Sequence, residues 1–285
     1  MTFSTIAVHL DHTERCEIRT QLAARIARLY RSHLMGIVPT GVPAGCQAGL
    51  ALPRTGHAVD KAGVLAEAAL FLRRRAETVA HVFRSRLAGP LPLSCDARLV
   101  DGEPARAVVH LGRASDLVVV GQPDDAAVVG EAERRLPEDV MLNAGRPVLI
   151  VPRAGRVAAN PDRIMVAWDG SREASMALRG AMPLLRRAAH VTLISLVREH
   201  GADSTQAPDP CEMSGWLLRH GVQVDARREV TSLPFADVLL DRAAARDCDL
   251  LVMGGYGHAR MREQLLGGVT RSVLLQAGIP VLMAH

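Results

Sequence analysis

The sequence predicts an α/β fold of two tandem domains, each an open parallel sheet of five strands with helices on both faces. Short apolar runs alternate with amphipathic helical segments, which is typical of a parallel sheet covered on both sides. The same framework also occurs twice in the chain. DLVVVG at 116–121 matches DLLVMG at 249–254, and GRPVLIVP at 145–152 matches GIPVLMAH at 278–285, both at an offset of 133 residues.

A second offset predicts the domain boundaries. TIAVHLD, ending at Asp11, matches RIMVAWD, ending at Asp169, at an offset of 158 residues, so the first copy carries 25 extra residues in its middle. Much of this surplus falls in the Gly- and Pro-rich segment 39–56, which is typical of a long surface loop. The segment 154–162, with a proline and small residues, predicts a linker between domains at 1–153 and 160–285.

The second copy shows the order of elements more clearly. Its predicted strands are short apolar runs, and its predicted helices are longer amphipathic segments. The first copy follows the same order, with a longer second helix predicted at 59–87 that carries the basic run Arg73 to Arg75. In the second copy, strands are predicted at 163–169, 191–197, 222–230, 250–255 and 280–283, and helices at 171–188, 211–221, 233–248 and 268–277.

A glycine pattern distinguishes the second copy from the first. Gly254, Gly257 and Gly267 lie between a predicted strand and a predicted helix, with the spacing G-x2-G-x9-G. Glycine lets the backbone approach a ligand closely, and the first free N–H groups of a helix attract anions. The offset of 133 puts Asp124 at the position of Gly257, and arginines take the place of the later glycines. The sequence therefore predicts a polyphosphate site in the second copy alone.

Composition excludes several classes of protein. Lys61 is the only lysine among the 34 basic residues, and because the arginines are dispersed among acidic residues we expect no nucleic-acid partner despite the net charge of +4. No apolar run approaches the roughly 20 residues that a membrane span needs, so we expect no membrane partner. The five cysteines are scattered without a CxxC pair, which predicts reduced thiols in the cytoplasm rather than a disulfide frame.

Two motifs resemble a known family. VAWDGS at 166–171 and the glycine loop ending in GGVT at 267–270 are similar to the universal stress protein domain. The likeness is strong in 160–285 and rests on the framework alone in 1–152, so the chain looks like a tandem member of that family. The resemblance implies a fold of the adenine-nucleotide alpha-hydrolase type and ATP in the second domain, with Mg or Mn as any bridging ion. It also implies that domains pair through their last strands, giving an internal pseudo-dimer and, between chains, a possible homodimer.

The resemblance also implies roles for individual residues. Asp169 and the backbone near Ala167 would face the nucleoside, and Leu196 or Val197 would border the adenine. Gly268 stands where the family usually has Ser or Thr, which removes one hydrogen bond worth about 1 kcal/mol. The remaining implied contacts are those of Gly254 and Gly257 with ribose and phosphates, and those of the Gly267, Gly268 and Val269 N–H groups and the Thr270 hydroxyl with phosphates.

Three alternatives stay open at this point. The glycines at 254–257 could form a tight turn that holds no ligand, and Asp169 could be only the cap of a helix that begins DGSREA. The whole chain could also be a nucleotide-independent scaffold or a module that binds a small ligand or a protein. No phosphate-loop, dinucleotide, nucleophile-elbow or zinc motif occurs. We therefore assign no catalytic and no metal-ligating residue and expect at most slow ATP hydrolysis.

Overall fold

The computed structural model describes residues 2–43, 57–88, 93–123, 134–158, 160–199, 209–257 and 268–285. The elements up to residue 151 are called the N-terminal half below. They are β1 (Thr5–His9), α1 (Cys16–Tyr30), β2 (His33–Pro39), α2 (His57–Leu87), β3 (Cys95–Val100), α3 (Pro104–Gly112), β4 (Leu117–Gly121), α4 (Leu136–Asn143) and β5 (Val148–Val151).

The remaining elements form the C-terminal half and repeat the same alternation. Each strand and helix predicted for the second copy is found, with ends that differ by at most three residues. These elements are β6 (Arg163–Ala167), α5 (Arg172–Leu185), β7 (His190–Arg198), α6 (Pro210–Arg219), β8 (Val224–Thr231), α7 (Phe235–Ala245), β9 (Leu250–Gly254), α8 (Val269–Gln276) and β10 (Val281–Ala284).

The described strands form one sheet of ten, in the order β3-β2-β1-β4-β5-β10-β9-β6-β7-β8. Each half is parallel, and the halves meet where β10 runs antiparallel to β5, with Leu282 opposite Leu149. This is the intramolecular pairing that the resemblance implied. Strand order reverses beside β1 and again beside β6. In open parallel sheets, ligands bind at the carboxyl ends of the strands near such a reversal.

Helices cover both faces of the sheet, as predicted. One apolar layer lies under α1, α2, α5 and α6, and it includes Leu22, Phe83 and Leu178. The other lies under α3, α4, α7 and α8, and it includes Val140 and Leu239. Both layers run through both halves, so burial of apolar area stabilises the ten-stranded sheet as a continuous body.

The sequence repeat reappears as a repeated hydrogen-bond pattern. Asp116 Oδ2 accepts from the N–H groups of Ser4 and Thr5, at 2.7 and 2.9 Å, and so fixes the start of β1 beside β4. Asp249 Oδ2 accepts from the N–H groups of residues 162 and 163, both at 3.1 Å, and fixes the start of β6 beside β9 in the same way. The two aspartates differ by 133 positions and their donors by 158, the same offsets that align the sequences.

Candidate functional site

The first part of the candidate site is the segment that follows β6. The Trp168 N–H donates to the Ile194 carbonyl at 2.8 Å and extends the sheet beyond Ala167, after which Asp169 is exposed. Asp169 Oδ1 accepts from the N–H and the hydroxyl of Ser171, at 3.0 and 2.6 Å. Ser171 Oγ in turn accepts from the Ala174 N–H at 3.0 Å. The cap of α5 is therefore Ser171, and Asp169 orients the capping residue rather than capping the helix itself.

The second part is the turn after β9. Tyr256 has a φ of 53°, so the left-handed backbone of this turn falls on a tyrosine and not on a glycine. The Tyr256 N–H donates to Thr270 Oγ1 at 3.1 Å, which ties the turn to the first helical turn of α8. Thr270 is buried. Its hydroxyl, implied above as a phosphate contact, thus also holds the glycine turn in position.

Packing explains two of the glycines in this turn. None of Gly254, Gly255 and Gly257 has a positive φ, so backbone conformation does not require glycine at these positions. A Cβ on Gly254 would lie 2.5 Å from the backbone nitrogen of Ala174, and one on Gly255 would collide with the sulfur of Met141. The absence of a side chain there lets β9 pack against α5 and against α4 of the other half. A turn that holds no ligand would account for both positions.

Packing does not explain the other two glycines. A Cβ on Gly257 would lie 3.3 Å from Glu173 Oε2 and 3.7 Å from Ser171 Cβ, distances that a small side-chain movement relieves. Gly268 is the N-cap of α8 with φ −64°, and no described atom lies within 4 Å of a Cβ built on it. Gly268 has no side chain to cap the helix, so the first N–H groups of α8 are left for another acceptor. Gly267 lies outside the described residues, as do 124–133, which include Asp124, the counterpart of Gly257 in the first copy.

The predicted adenine side is apolar. Ala167 lies opposite Ile194 in the sheet, so Leu196 and Val197 extend β7 beyond the end of β6. Ala167 and Leu196 are half-buried and pack on the same apolar layer as Tyr256 and Val269, whereas Val197 is buried. The structure therefore brings Ala167, Leu196, the glycine turn and the start of α8 to one edge of the sheet.

Sequence reasoning missed Glu173. This residue is only 4% exposed, and its carboxylate lies between the first turn of α5 and Gly257. An acidic residue in a first helical turn usually lies at the surface, where it interacts with the helix dipole, so no local pattern indicated that Glu173 would be buried. Its position two residues after the DGS motif was the available signal.

The equivalent crevice of the N-terminal half is filled by Arg19, which sequence reasoning also missed. Arg19 is 2% exposed and stands at the position of Ala177 in the other half. Its Nε donates to the His9 carbonyl at 2.7 Å, and its Nη2 lies 2.7 Å from Asp11 Oδ2. A Cβ on Gly121, at the end of β4, would collide with the guanidinium. The Arg19 side chain thus occupies the space at the carboxyl ends of β1 and β4, where a ligand would lie.

Burial and charge shift two titrating groups in the N-terminal crevice. Burial, with the nearby Arg19 charge, lowers the pKa of His9 to about 4, although Asp11 acts in the opposite direction. Burial alone would raise the pKa of Asp11, but Arg19, His9 and the hydrogen bonds of Thr13 outweigh it and lower that pKa to about 2. At neutral pH the crevice therefore holds a neutral imidazole and an Asp11–Arg19 ion pair.

Other chemistry is limited in the described part of the chain. It contains no cluster of three or more His, Cys, Asp or Glu side chains that could hold a metal ion. Cys16, Cys95, Cys211 and Cys248 are free thiols, while Cys46 falls outside the described ranges. None of the described helices is long and apolar enough to span a membrane.

A doubly wound parallel sheet with a glycine turn and a helix start at the carboxyl ends of its strands defines an open-sheet α/β protein. Residues 161–285 match the model of the Universal stress protein family. Universal stress protein Rv2005c of Mycobacterium tuberculosis is 25% identical over 208 residues, covering 68% of this chain and 70% of that one. By this match, residues 161–285 belong to the universal stress protein family.

Solved structures extend the likeness in fold to nearly the whole chain. The crystal structure of a universal stress protein from Archaeoglobus fulgidus superposes with a TM-score of 0.66 and 16% identity, covering 98% of this chain and 97% of that one. A putative universal stress protein from Pseudomonas aeruginosa gives a TM-score of 0.56 at 17% identity, covering 98% and 92%. These similarities show that the tandem arrangement of the halves is a shared fold.

Proposed function

We propose that this stress-response protein binds ATP or a related adenine nucleotide in the crevice of its C-terminal half. The observation that carries the proposal is the pair Gly257 and Gly268. Neither needs glycine for its φ, and little or nothing in the described structure fills the space where its side chain would be. Open backbone beside a helix start suits a polyphosphate. Gly267 and Val269 would add N–H groups to the same phosphate site.

The nucleoside end of the ligand would lie across β6 and β7. Asp169 is exposed and held by Ser171, so its carboxylate is oriented to accept from hydroxyl or amino groups of the ligand. Ala167, together with Leu196 or Val197, would line the adenine, because apolar surface at the carboxyl ends of the strands suits a flat ring. We assign no catalytic residue to the crevice, and any hydrolysis would be slow.

The two halves would have different roles. We propose a domain at 1–153 that binds no nucleotide, because Arg19 fills its crevice, and a nucleotide-binding domain at 160–285. The first domain contacts the glycine turn of the second, because Met141 packs on Gly255. Glu138 of the first domain also lies near Tyr256, and burial together with this carboxylate raises the pKa of Tyr256 to about 12. The four free thiols support a reducing compartment, the cytoplasm. Pairing of two chains would be an additional step.

Replacing Gly257 tests the site. Equilibrium dialysis of the full chain with labelled ATP should show that Gly257→Ala weakens binding about tenfold, because the new methyl group blocks the approach of the phosphates. Gly215→Ala, on the surface helix α6 with only ordinary contacts, is the matched control and should bind as the wild type does. Equal affinity in all three proteins would exclude the proposed crevice.

Adding a hydroxyl at Gly268 should strengthen binding. No described atom lies within 4 Å of a Cβ at this position, the backbone is extended as an N-cap requires, and serine is a preferred N-cap residue. One recovered hydrogen bond is worth about 1 kcal/mol, so Gly268→Ser should bind ATP about fivefold more tightly. Thermal-shift measurements with ATP, ADP and AMP would detect this change. A ligand at 100 times its dissociation constant raises the free energy of unfolding by about 2.7 kcal/mol.

The rival function is a scaffold that uses no nucleotide. The glycine at position 268 and the Arg19-filled crevice favour it, because each removes part of a nucleotide site. It predicts no thermal shift with any of the three nucleotides, in the wild type or in Gly268→Ser. A shift in Gly268→Ser alone would identify the missing hydroxyl as the reason for weak binding.

A further inference from the structure

The Glu173 carboxylate is the least explained charge in the C-terminal crevice. It is 4% exposed, and Oε2 lies 3.3 Å from the position that a Cβ on Gly257 would take. Within the described residues no hydrogen bond or ion pair involves this carboxylate. The offset of 158 puts Arg15 at the equivalent position, so the N-terminal half carries the opposite charge there. A buried carboxylate without a partner is costly unless something else neutralises it.

The proposed ligand makes this charge more unfavourable. Phosphates that approach Gly257 would come close to Glu173, and like charges at short range in a partly buried site repel strongly. The positive end of the α5 dipole is equivalent to about half a unit charge, which is too little to neutralise a carboxylate beside a triphosphate. A further positive charge beside Glu173 would relieve this repulsion.

We propose that Glu173 makes the crevice select a nucleotide that carries a divalent cation over the metal-free nucleotide. This inference rests on the proposed function. Mg²⁺ is bound in proteins by one or two carboxylates together with substrate phosphates, and it keeps several of its waters. Glu173 and the Asp169–Ser171 pair fit that requirement, because the Ser171 hydroxyl oxygen is 3.9 Å from the same Cβ position beside Gly257. Glu173 is thus a specificity-determining residue.

The small number of metal-ligating side chains predicts that the cation and the nucleotide bind cooperatively. The described residues offer no group of three metal-ligating side chains, so the protein would hold Mg²⁺ weakly without nucleotide. The nucleotide and the cation would therefore bind with positive coupling. Coupling of this kind is reciprocal and can be measured from either ligand.

The test compares ATP affinity in excess Mg²⁺ with ATP affinity in EDTA, using the full chain. The wild type should bind about tenfold more tightly with Mg²⁺, the size typical of coupled ligands. In Glu173→Gln the two affinities should become nearly equal, chiefly because metal-free ATP now binds better. Glu212→Gln removes the first-turn acid of α6, which is exposed, and should keep the wild-type ratio.

Each of the other outcomes contradicts the inference at a different step. Equal affinity with and without Mg²⁺ in the wild type, or an unchanged ratio in Glu173→Gln, would remove the cation from the site. Equal weakening of both affinities in Glu173→Gln would make Glu173 an acceptor for the ribose hydroxyls instead. If no protein binds ATP under either condition, the proposed function itself is wrong.

Discussion

Replacing Arg19 by alanine should lower the free energy of unfolding by about 3–5 kcal/mol, the usual cost of breaking a buried ion pair from one side. The Arg19 side chain is 3% exposed, and the Asp11 side chain that it pairs with is 26% exposed. Removing the guanidinium leaves that carboxylate without its counter-charge and the His9 carbonyl without its donor. It also empties a crevice that the surrounding strands are too rigid to close.

Denaturant unfolding at pH 7 measures this effect. Arg25→Ala is the matched control, because Arg25 lies on the exposed face of the same helix, where substitutions usually change stability by no more than about 0.5 kcal/mol. A loss below 1 kcal/mol for Arg19→Ala would mean that the N-terminal crevice is not held by this ion pair. Tighter ATP binding by the variant would further show that Arg19 alone had kept nucleotide out of that crevice.

The fold was accessible to sequence reasoning because its signals are local and occur twice. The helix predicted at 171–188 is found at Arg172–Leu185, and the strand predicted at 250–255 at Leu250–Gly254. Period and apolar runs fix the type of each element, whereas its ends depend on capping and on neighbouring strands. The two offsets then predicted a repeated architecture, although not that the halves share one continuous sheet.

The site was less accessible because side-chain burial depends on distant parts of the chain. In the sequence Arg19 resembles any surface arginine of a helix, yet it lies between β1 and β4, which are more than a hundred residues apart. The glycines illustrate the same point. Gly254 and Gly257 are equal members of one motif in the sequence, but only the structure shows that α5 requires the first and leaves the second open.

As the pH falls from 6.5 to 4, His9 should destabilise the folded protein. The pKa of His9 in the folded state is about 4, below its ordinary value of 6.5, because burial and the Arg19 charge disfavour the imidazolium. Between these two values the unfolded chain binds a proton that the folded chain does not, so stability falls as pH falls. The full shift corresponds to about 3 kcal/mol, lost between pH 6.5 and pH 4. Asp11 contributes only at lower pH, since its pKa is lowered to about 2.

His9→Ala isolates this contribution, because Ala167 occupies the equivalent position in the other half. Loss of the imidazole adds a constant packing cost, so the informative quantity is the change with pH in the stability difference between wild type and variant. That difference should shrink by about 3 kcal/mol from pH 7 to pH 4. His81→Ala, at an exposed position on α2, is the matched control for loss of a histidine. A constant difference for His9→Ala would mean that His9 binds its proton equally in both states, and the crevice would then have to admit water.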